Sequence, residues 1–259
     1  MKLEKLDNAI GGAIRAMQHG RIGFSLQQIN AVDDSSKILY SECLGRLVEP
    51  DGMVRTSGEF LAIPEESGIA PAFDRYLLGL AFDWLARHPS AVLGCNISAE
   101  NVADEQACTV LYDLLSSHSA VATRMILEVR ENLPRTMLSV AVDLLQSARV
   151  LGYRIALDEF GTGYSTADSL MFIPVDIVKI DASFAQHRRG EAAPILCHMV
   201  GLASCAASTV VVEGIETYGQ LEAAKTAGAT HVQGFLLSEP TLPPIYSRAS
   251  NALARSETP

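Results

Sequence analysis

Apolar residues recur along this chain in two periods. From Lys2 to Gln18 they fall at three-to-four spacing (Leu3, Leu6, Ile10, Ala13, Ile14, Met17), the repeat of an amphipathic helix. From Ile22 onward, short apolar runs alternate with helical stretches. The runs are Ile22–Ile29, Ile38–Leu47, Val92–Ile97, Arg124–Val129, Tyr153–Leu157, Ile177–Ile180, Thr209–Val212 and Thr230–Leu236, eight in all. Between them the spacing predicts helices over Phe73–Arg87, Glu105–Ser117, Pro134–Leu151, Ala192–Ala206 and Gln220–Ala227. Pro134 suits a first helical turn, and Gly152 and Gly228 stand where helices stop. Strands alternating with helices give a largely parallel sheet. Eight strands in 259 residues suit a (β/α)8 barrel better than an open, doubly wound sheet. The open sheet loses further ground because no dinucleotide glycine fingerprint follows the first strand.

Composition narrows the function. Hydrophobic residues make up 48% of the chain and charged residues only 19%, which excludes disorder as a whole-chain description. A formal charge of −10 makes a duplex DNA or RNA partner a poor expectation. A phosphate ester would need a metal cation to offset the protein's own field. The five cysteines form no CxxC pair, so buried thiols in a reducing compartment are expected rather than disulfides or zinc. The opening MKLEKLDNAI has no apolar leader, and no run approaches the roughly 20 residues of a membrane span. A soluble, cytoplasmic protein without a membrane partner is expected. No linker divides the chain, so one domain is expected over 1–259.

What ends each apolar run carries the chemistry. The second run contains Glu42; later runs end in Asn96, Glu128, Asp158 with Glu159, Lys179, Glu213 and Gln233. In a barrel, the C-terminal strand ends meet at one face. One acidic residue at a strand end is ordinarily a helix cap or a surface charge. Five carboxylates gathered at one point, however, cannot stay ionised in a dry site without cations. Oxygen ligands, with no Cys or His at these positions, favour Mg²⁺ or Mn²⁺ over zinc. Two bridged ions would make a site for in-line phosphoryl displacement. In Asp158-Glu-Phe-Gly-Thr-Gly-Tyr-Ser-Thr166, Gly161 and Gly163 follow the paired acids and suit a mobile active-site loop.

These segments resemble the EAL-domain phosphodiesterases of bacterial cyclic-di-GMP signalling. The E-A-L-L-R motif is read as Glu42-Cys43-Leu44-Gly45-Arg46, and N-x-S as Asn96-Ile97-Ser98. L-E-x-T-E is read as Leu127-Glu128-Val129-Arg130-Glu131, and D-D-F-G-T-G-Y-S as Asp158 to Ser165. V-K-I-D runs from Val178 to Asp181, E-G-I-E-T from Glu213 to Thr217, and Q-G-[YF] is Gln233-Gly234-Phe235. An opening Q-P-I is seen as Gln27-Gln28-Ile29, without its proline. The likeness covers about residues 20–240, in family order.

The resemblance implies a modified (β/α)8, TIM-type barrel with an antiparallel first strand. It implies hydrolysis of cyclic-di-GMP to pGpG with Mg²⁺ or Mn²⁺, two ions in all. By the matched positions, Glu42, Asn96, Glu128 and Asp158 would hold the first ion. Asp158 would bridge to a second ion held also by Glu159 and Glu213. Lys179 would orient or activate the attacking water, and Glu213 would act as general base or metal ligand. Glu216 would anchor the Asp158–Ser165 loop, Arg46 and Gln233 would contact substrate, and Asp181 would support Lys179 or a metal-bound water. Dimers are common in the family, so a homodimer is an expected arrangement.

Cys43 and Gly45 depart from the family pattern as packing changes, and two further departures bear on the chemistry. Glu159 stands for the second Asp of the loop motif and reaches roughly 1.5 Å further. Arg130 stands for a small hydroxyl residue and, two residues past Glu128, shares its strand face. They motivate an alternative reading, a cyclic-di-GMP receptor that no longer turns its ligand over. No sensory, receiver or cyclase segment is read in the chain.

Overall fold

The computed structural model describes residues 11–60, 68–131, 137–163, 170–186 and 192–241. Its strands are β1 (Ile22–Ala31), β2 (Ile38–Val48), β3 (Val54–Thr56), β4 (Leu93–Ile97), β5 (Met125–Arg130), β6 (Arg154–Phe160), β7 (Ile177–Ile180), β8 (Thr209–Val212) and β9 (His231–Val232). They form one sheet in the order β1-β9-β8-β7-β6-β5-β4-β2-β3, and pairing of β1 with β2 closes eight of them into a barrel. β3 lies outside the ring, hydrogen-bonded only to β2 within the sheet.

Connection length explains the mixed direction. β1 and β2 are joined by the short polar segment 32–37, in which Asp34 Oδ1 accepts from Ser36 N at 3.1 Å. A link that short returns the chain antiparallel, whereas parallel neighbours need a crossover of a dozen or more residues. β1 therefore runs against both β2 and β9, and β2 and β4 through β9 pair in parallel. The antiparallel first strand is as the resemblance implied.

The crossover helices are α1 (Ala70–Arg87), α2 (Ala99–Ala103), α3 (Glu105–Ser117), α4 (Leu138–Val150), α5 (Ala192–Ala203) and α6 (Tyr218–Ala227). Asp104 caps α3 through Ala107 N at 2.8 Å, and Thr217 with Gln220 forms a capping box on α6. Gly152 and Gly228 adopt φ of 102° and 91° just beyond α4 and α6, as expected of helix stops. Pro134 and residues 2–10 of the first expected helix lie outside the described residues; residues 11–18 are helical. Two expectations shift. The run Thr230–Leu236 yields only the two-residue β9, because the chain turns at Gly234, where a side chain would collide with the Ile215 backbone. The small β3 has no period-two pattern long enough to mark it.

Two packing layers follow from strand alternation. Outward residues such as Cys43, Cys95, Leu127, Val178 and Val212 pack against the helices in the main core. Inward residues Ile29, Tyr40, Ile126, Ala156, Ile177 and Val211 fill the barrel itself. All five cysteines are free thiols, Cys43, Cys95 and Cys108 being buried. Among the described residues, no helix is long and apolar enough to cross a membrane.

Candidate active site

The residues two positions beyond that inner apolar layer, toward the barrel mouth, are polar. Glu42 follows Tyr40 on β2, Glu128 follows Ile126 on β5, Asp158 follows Ala156 on β6, Lys179 follows Ile177 on β7, and Glu213 follows Val211 at the end of β8. On the reversed β1, the corresponding residue precedes: Gln27 before Ile29. Strand periodicity thus aims all of them at the barrel axis.

Lys179 Nζ occupies the middle. It lies 2.6 Å from Glu128 Oε2, 2.9 Å from Glu213 Oε1, 3.1 Å from Glu42 Oε2 and 3.3 Å from Asp158 Oδ1. An ammonium has three N–H donors, so four carboxylates oversubscribe it. Asp158 Oδ1 and Glu128 Oε1 are buried without a hydrogen-bond partner among the described residues. Four carboxylates on one ammonium also leave three negative charges in excess if all are ionised.

The charge states show that conflict. Burial works against ionisation of Glu42, but Lys179, Gln233 and Asn96 overcome it and hold its carboxyl below the usual range. Burial, with Glu42 alongside, raises Glu128 well above that range. Glu213 is pushed up to about 8, first by burial. Burial opposes the charge on Lys179, yet the surrounding carboxylates, Asp158 foremost, keep it firmly protonated. The cluster without cations therefore holds protons on some of its acids, as mutual repulsion in a dry site requires.

Neighbouring amides fix Glu42. Asn96 Nδ2 donates to its Oε1 at 2.8 Å and Gln233 Nε2 to its Oε2 at 2.8 Å. Gln233 Nε2 also reaches Gln27 Oε1 at 3.3 Å, and Gln27 Nε2 donates to the Ser238 carbonyl at 3.0 Å. Gln233, expected on substrate, here orients a carboxylate. Below the charges, Gly94 is required: a Cβ there would collide with Glu128 Oε1 and the Tyr40 ring.

Glu159 stands apart from the lysine cluster. Pairing between β6 and β7 slips between Leu157 and Phe160, a bulge, and Glu159 takes φ 54°, the sole non-glycine residue with positive φ among those described. On a regular strand, Asp158 and Glu159 would face opposite ways; here both line one cavity. Glu159 Oε1 lies 3.3 Å from Arg130 Nε. Burial raises the Glu159 carboxyl above its usual range, against the pull of Arg130.

Glu216, Glu131 and Asp181 surround the site from its loops. Among the described residues, the Glu216 carboxylate accepts from Gln186 Nε2 at 3.5 Å, and residues 164–169 of the loop it was expected to anchor lie outside the described residues. Glu131 holds the glycine turn, accepting from Gly161 N at 2.7 Å and Gly163 N at 3.3 Å through one oxygen. The signal was present in the sequence, since Glu131 closes the L-E-x-T-E motif, but its contact spans 30 residues, which spacing alone does not show. Asp181 caps the turn after β7, with Oδ1 accepting from Ser183 N at 2.9 Å. Arg46 is buried and donates to the Gly45 carbonyl at 2.9 Å. Ser165 and Thr166 lie outside the described residues.

Two cavities open beside the cluster, and Glu42 lines both. One, about 380 Å³, is bordered by Asn96, Ser98, Arg130, Asp158 and Glu159. The other, about 250 Å³, is bordered by Gln27, Glu213, Glu216, Gln233 and Phe235. Asp74 also borders the larger one. It accepts from Ser98 N at 2.6 Å and Asn101 Nδ2 at 2.9 Å, and burial pushes its carboxyl up to about 6. Nothing in the sequence pattern singled it out.

A barrel whose mouth is lined by these motifs matches one family. The EAL domain family model matches residues 13–240, and the chain belongs to that family. It is 28% identical over 212 residues to the probable cyclic di-GMP phosphodiesterase PdeB of Escherichia coli, covering 79% of this chain and 40% of that protein. It is 30% identical over 207 residues to the bifunctional diguanylate cyclase/cyclic di-GMP phosphodiesterase MucR of Pseudomonas aeruginosa, covering 77% of this chain and 30% of that one. The chain thus spans well under half the length of these curated relatives. Among solved structures, it matches the PaMucR phosphodiesterase in complex with c-di-GMP at 26% identity and a TM-score of 0.78, covering 90% of this chain and 97% of that one. It matches the FimX EAL domain from Pseudomonas aeruginosa bound to c-di-GMP at 25% identity and a TM-score of 0.79, covering 90% and 96%.

Proposed function

We propose that this chain hydrolyses cyclic-di-GMP to linear pGpG with the help of divalent cations, Mg²⁺ or Mn²⁺, as a cytoplasmic signalling enzyme. The observation that carries the reading is the convergence of four carboxylates from four strands on Lys179 Nζ, all within 3.3 Å, in a chain of the EAL family. Among the described residues, no three acidic, His or Cys side chains already stand together as an ion cage, because the ammonium takes the centre. The donor set nevertheless fits hard cations: the ligands are oxygens, negative charge is in excess, and Asp158 Oδ1 is buried without a hydrogen-bond partner.

Glu42, Asn96, Glu128 and Asp158 would hold one ion, and Asp158, Glu159 and Glu213 a second. Bound there, the ions would supply a water of lowered pKa and offset the charge of the phosphodiester. Lys179 is a fixed cation for the attacking water and for charge that grows on the scissile phosphate. Glu213, 2.9 Å from Lys179 Nζ, would serve as general base or as ligand of the second ion. Gln233 and Asn96 keep Glu42 pointed at the centre. Glu131 pins the glycine loop, and through it the backbone that aims Glu159. The cavities on either side of Glu42 give a two-lobed nucleotide room on both sides of the scissile bond.

A second reading, a receptor that binds without turnover, draws on the Arg130–Glu159 ion pair, which ties up one presumed ligand. Incubation with cyclic-di-GMP and Mn²⁺, followed by chromatography, separates the two. The enzyme reading expects pGpG, its loss in Glu42→Ala and Asp158→Ala, and inhibition when Ca²⁺ replaces Mn²⁺, since Ca²⁺ prefers looser coordination. Intact ligand that co-elutes with the protein would establish the receptor.

A further inference from the structure

The five acids at the barrel mouth are divided between two cations of the protein itself. Four surround Lys179, and the fifth, Glu159, is matched by Arg130. The partition follows from the backbone. β5 ends at Arg130, whose register partner on β6 is Asp158, so the guanidinium emerges beside the next residue along β6. That residue, Glu159, is held at φ 54° within the bulge, and Glu131 fixes the following turn through Gly161 N and Gly163 N. The direction of the Glu159 side chain is thus set by a strained, anchored segment rather than by a free surface rotamer. Both members of the pair line the larger cavity together with Glu42, Asn96 and Asp158.

We infer that Arg130 is a positioning residue that holds Glu159 in reserve and competes with the second divalent ion for its carboxylate. The inference rests on the metal-dependent reading above. The side chains of Arg130 and Glu159 are 53% and 35% exposed, so solvent screens the pair and its contribution is small. A divalent ion flanked by Asp158 and Glu213 outweighs such a pair, so Arg130 tunes the second site without closing it. Once displaced, the guanidinium remains at the cavity wall, where a substrate phosphate replaces the lost carboxylate as its counter-charge. The two departures that bear on the chemistry become one device: the longer acid at 159 meets the long cation at 130.

Mn²⁺ binding read by the electron paramagnetic resonance signal of the free ion, without substrate, tests this on four proteins: wild type, Arg130→Ala, Glu159→Ala and the double variant. Circular dichroism confirms their folding. The expected result is that the tighter ion is unchanged in Arg130→Ala, while the weaker ion binds about three- to five-fold more tightly, the size a half-exposed ion pair carries. That gain is expected to vanish when Glu159 is absent, and Arg130→Lys should behave like wild type. The same gain with and without Glu159 would reduce Arg130 to a distant charge and overturn the proposal, as would an unchanged or weakened second ion. Failure of wild type to bind any Mn²⁺ would instead overturn the metal-dependent reading, and this one with it.

Discussion

Inside the barrel, Ile29, Tyr40, Ile126, Ala156, Ile177 and Val211 form a dry, closely packed layer. One step of two residues toward the mouth, the same strands carry Gln27, Glu42, Glu128, Asp158, Lys179 and Glu213. Backbone, pairing and direction are shared; only the side chains change. The lower layer resembles any parallel-sheet core and holds the strands at fixed spacing. The upper layer exploits that spacing by placing charges where an unconstrained chain would never gather them. Tyr40 and Gly94 mark the seam. The Tyr40 hydroxyl is buried without a partner among the described residues, and Gly94 leaves the space that Glu128 Oε1 occupies.

The largest break in this contrast is removal of the central cation. On the proposed function, Lys179→Ala should lower turnover by about 100-fold or more, since it deletes the charge positioned at the centre of the carboxylate cluster. Without added cations it should also destabilise the fold by about 3–5 kcal/mol, because buried carboxylates lose their counter-ion. Steady-state kinetics, with calorimetric binding of cyclic-di-GMP, check the first effect; urea unfolding in chelator checks the second. Binding lost with turnover unchanged would reverse the assigned role.

A substitution one layer down should show the opposite profile. Ile126→Ala opens a cavity in the packed layer and should cost about 2–5 kcal/mol in urea unfolding. Turnover per folded molecule should stay within a few-fold of wild type. A 100-fold loss of turnover at retained stability would erase the distinction between the layers.

Asp74 sharpens the comparison from outside the barrel. Burial raises its carboxyl from an ordinary 3.8 to about 6, so the protonated form is favoured in the folded state. Its stabilising contribution is complete below the unfolded value and is lost as pH rises through about 6. Asp74→Asn does not titrate. Between pH 4 and pH 7 it should therefore gain on wild type by about 2–3 kcal/mol, read from urea midpoints. A difference that does not move with pH would show that Asp74 is ionised throughout. The smallest effect is expected at Glu131. Glu131→Gln keeps one acceptor for the glycine loop and should cost about 1 kcal/mol, seen as faster amide exchange confined to that loop.

The barrel was legible because its strands are buried on both faces and its helices are periodic, so that β4 to β8 lie within three residues of their apolar runs. The clustering of Glu42, Glu128, Asp158, Lys179 and Glu213 was legible because barrel strands end at one face. Contacts between loops were not. Glu131 and Glu216 are both acids placed late in motifs, and only the path of the backbone decides which meets Gly161. Arg130 and Glu159 stood out as departures, but their pairing depends on a register and a bulge that spacing does not reveal. Asp74 is one polar residue within an apolar helical stretch, and its burial comes from the neighbouring Ser98 turn.

The contrast between the layers makes one demand above all: the upper layer must be short of cations. Thermal unfolding in chelator and in rising Mn²⁺ tests this directly, compared between wild type and Asp158→Asn. Wild type should gain stability with the logarithm of Mn²⁺ concentration, as a ligand that binds only the folded state requires. Asp158→Asn, which lacks the carboxylate shared by both presumed ion sites, should lose most of that gain. A wild-type melting temperature that does not respond to Mn²⁺ would contradict the account.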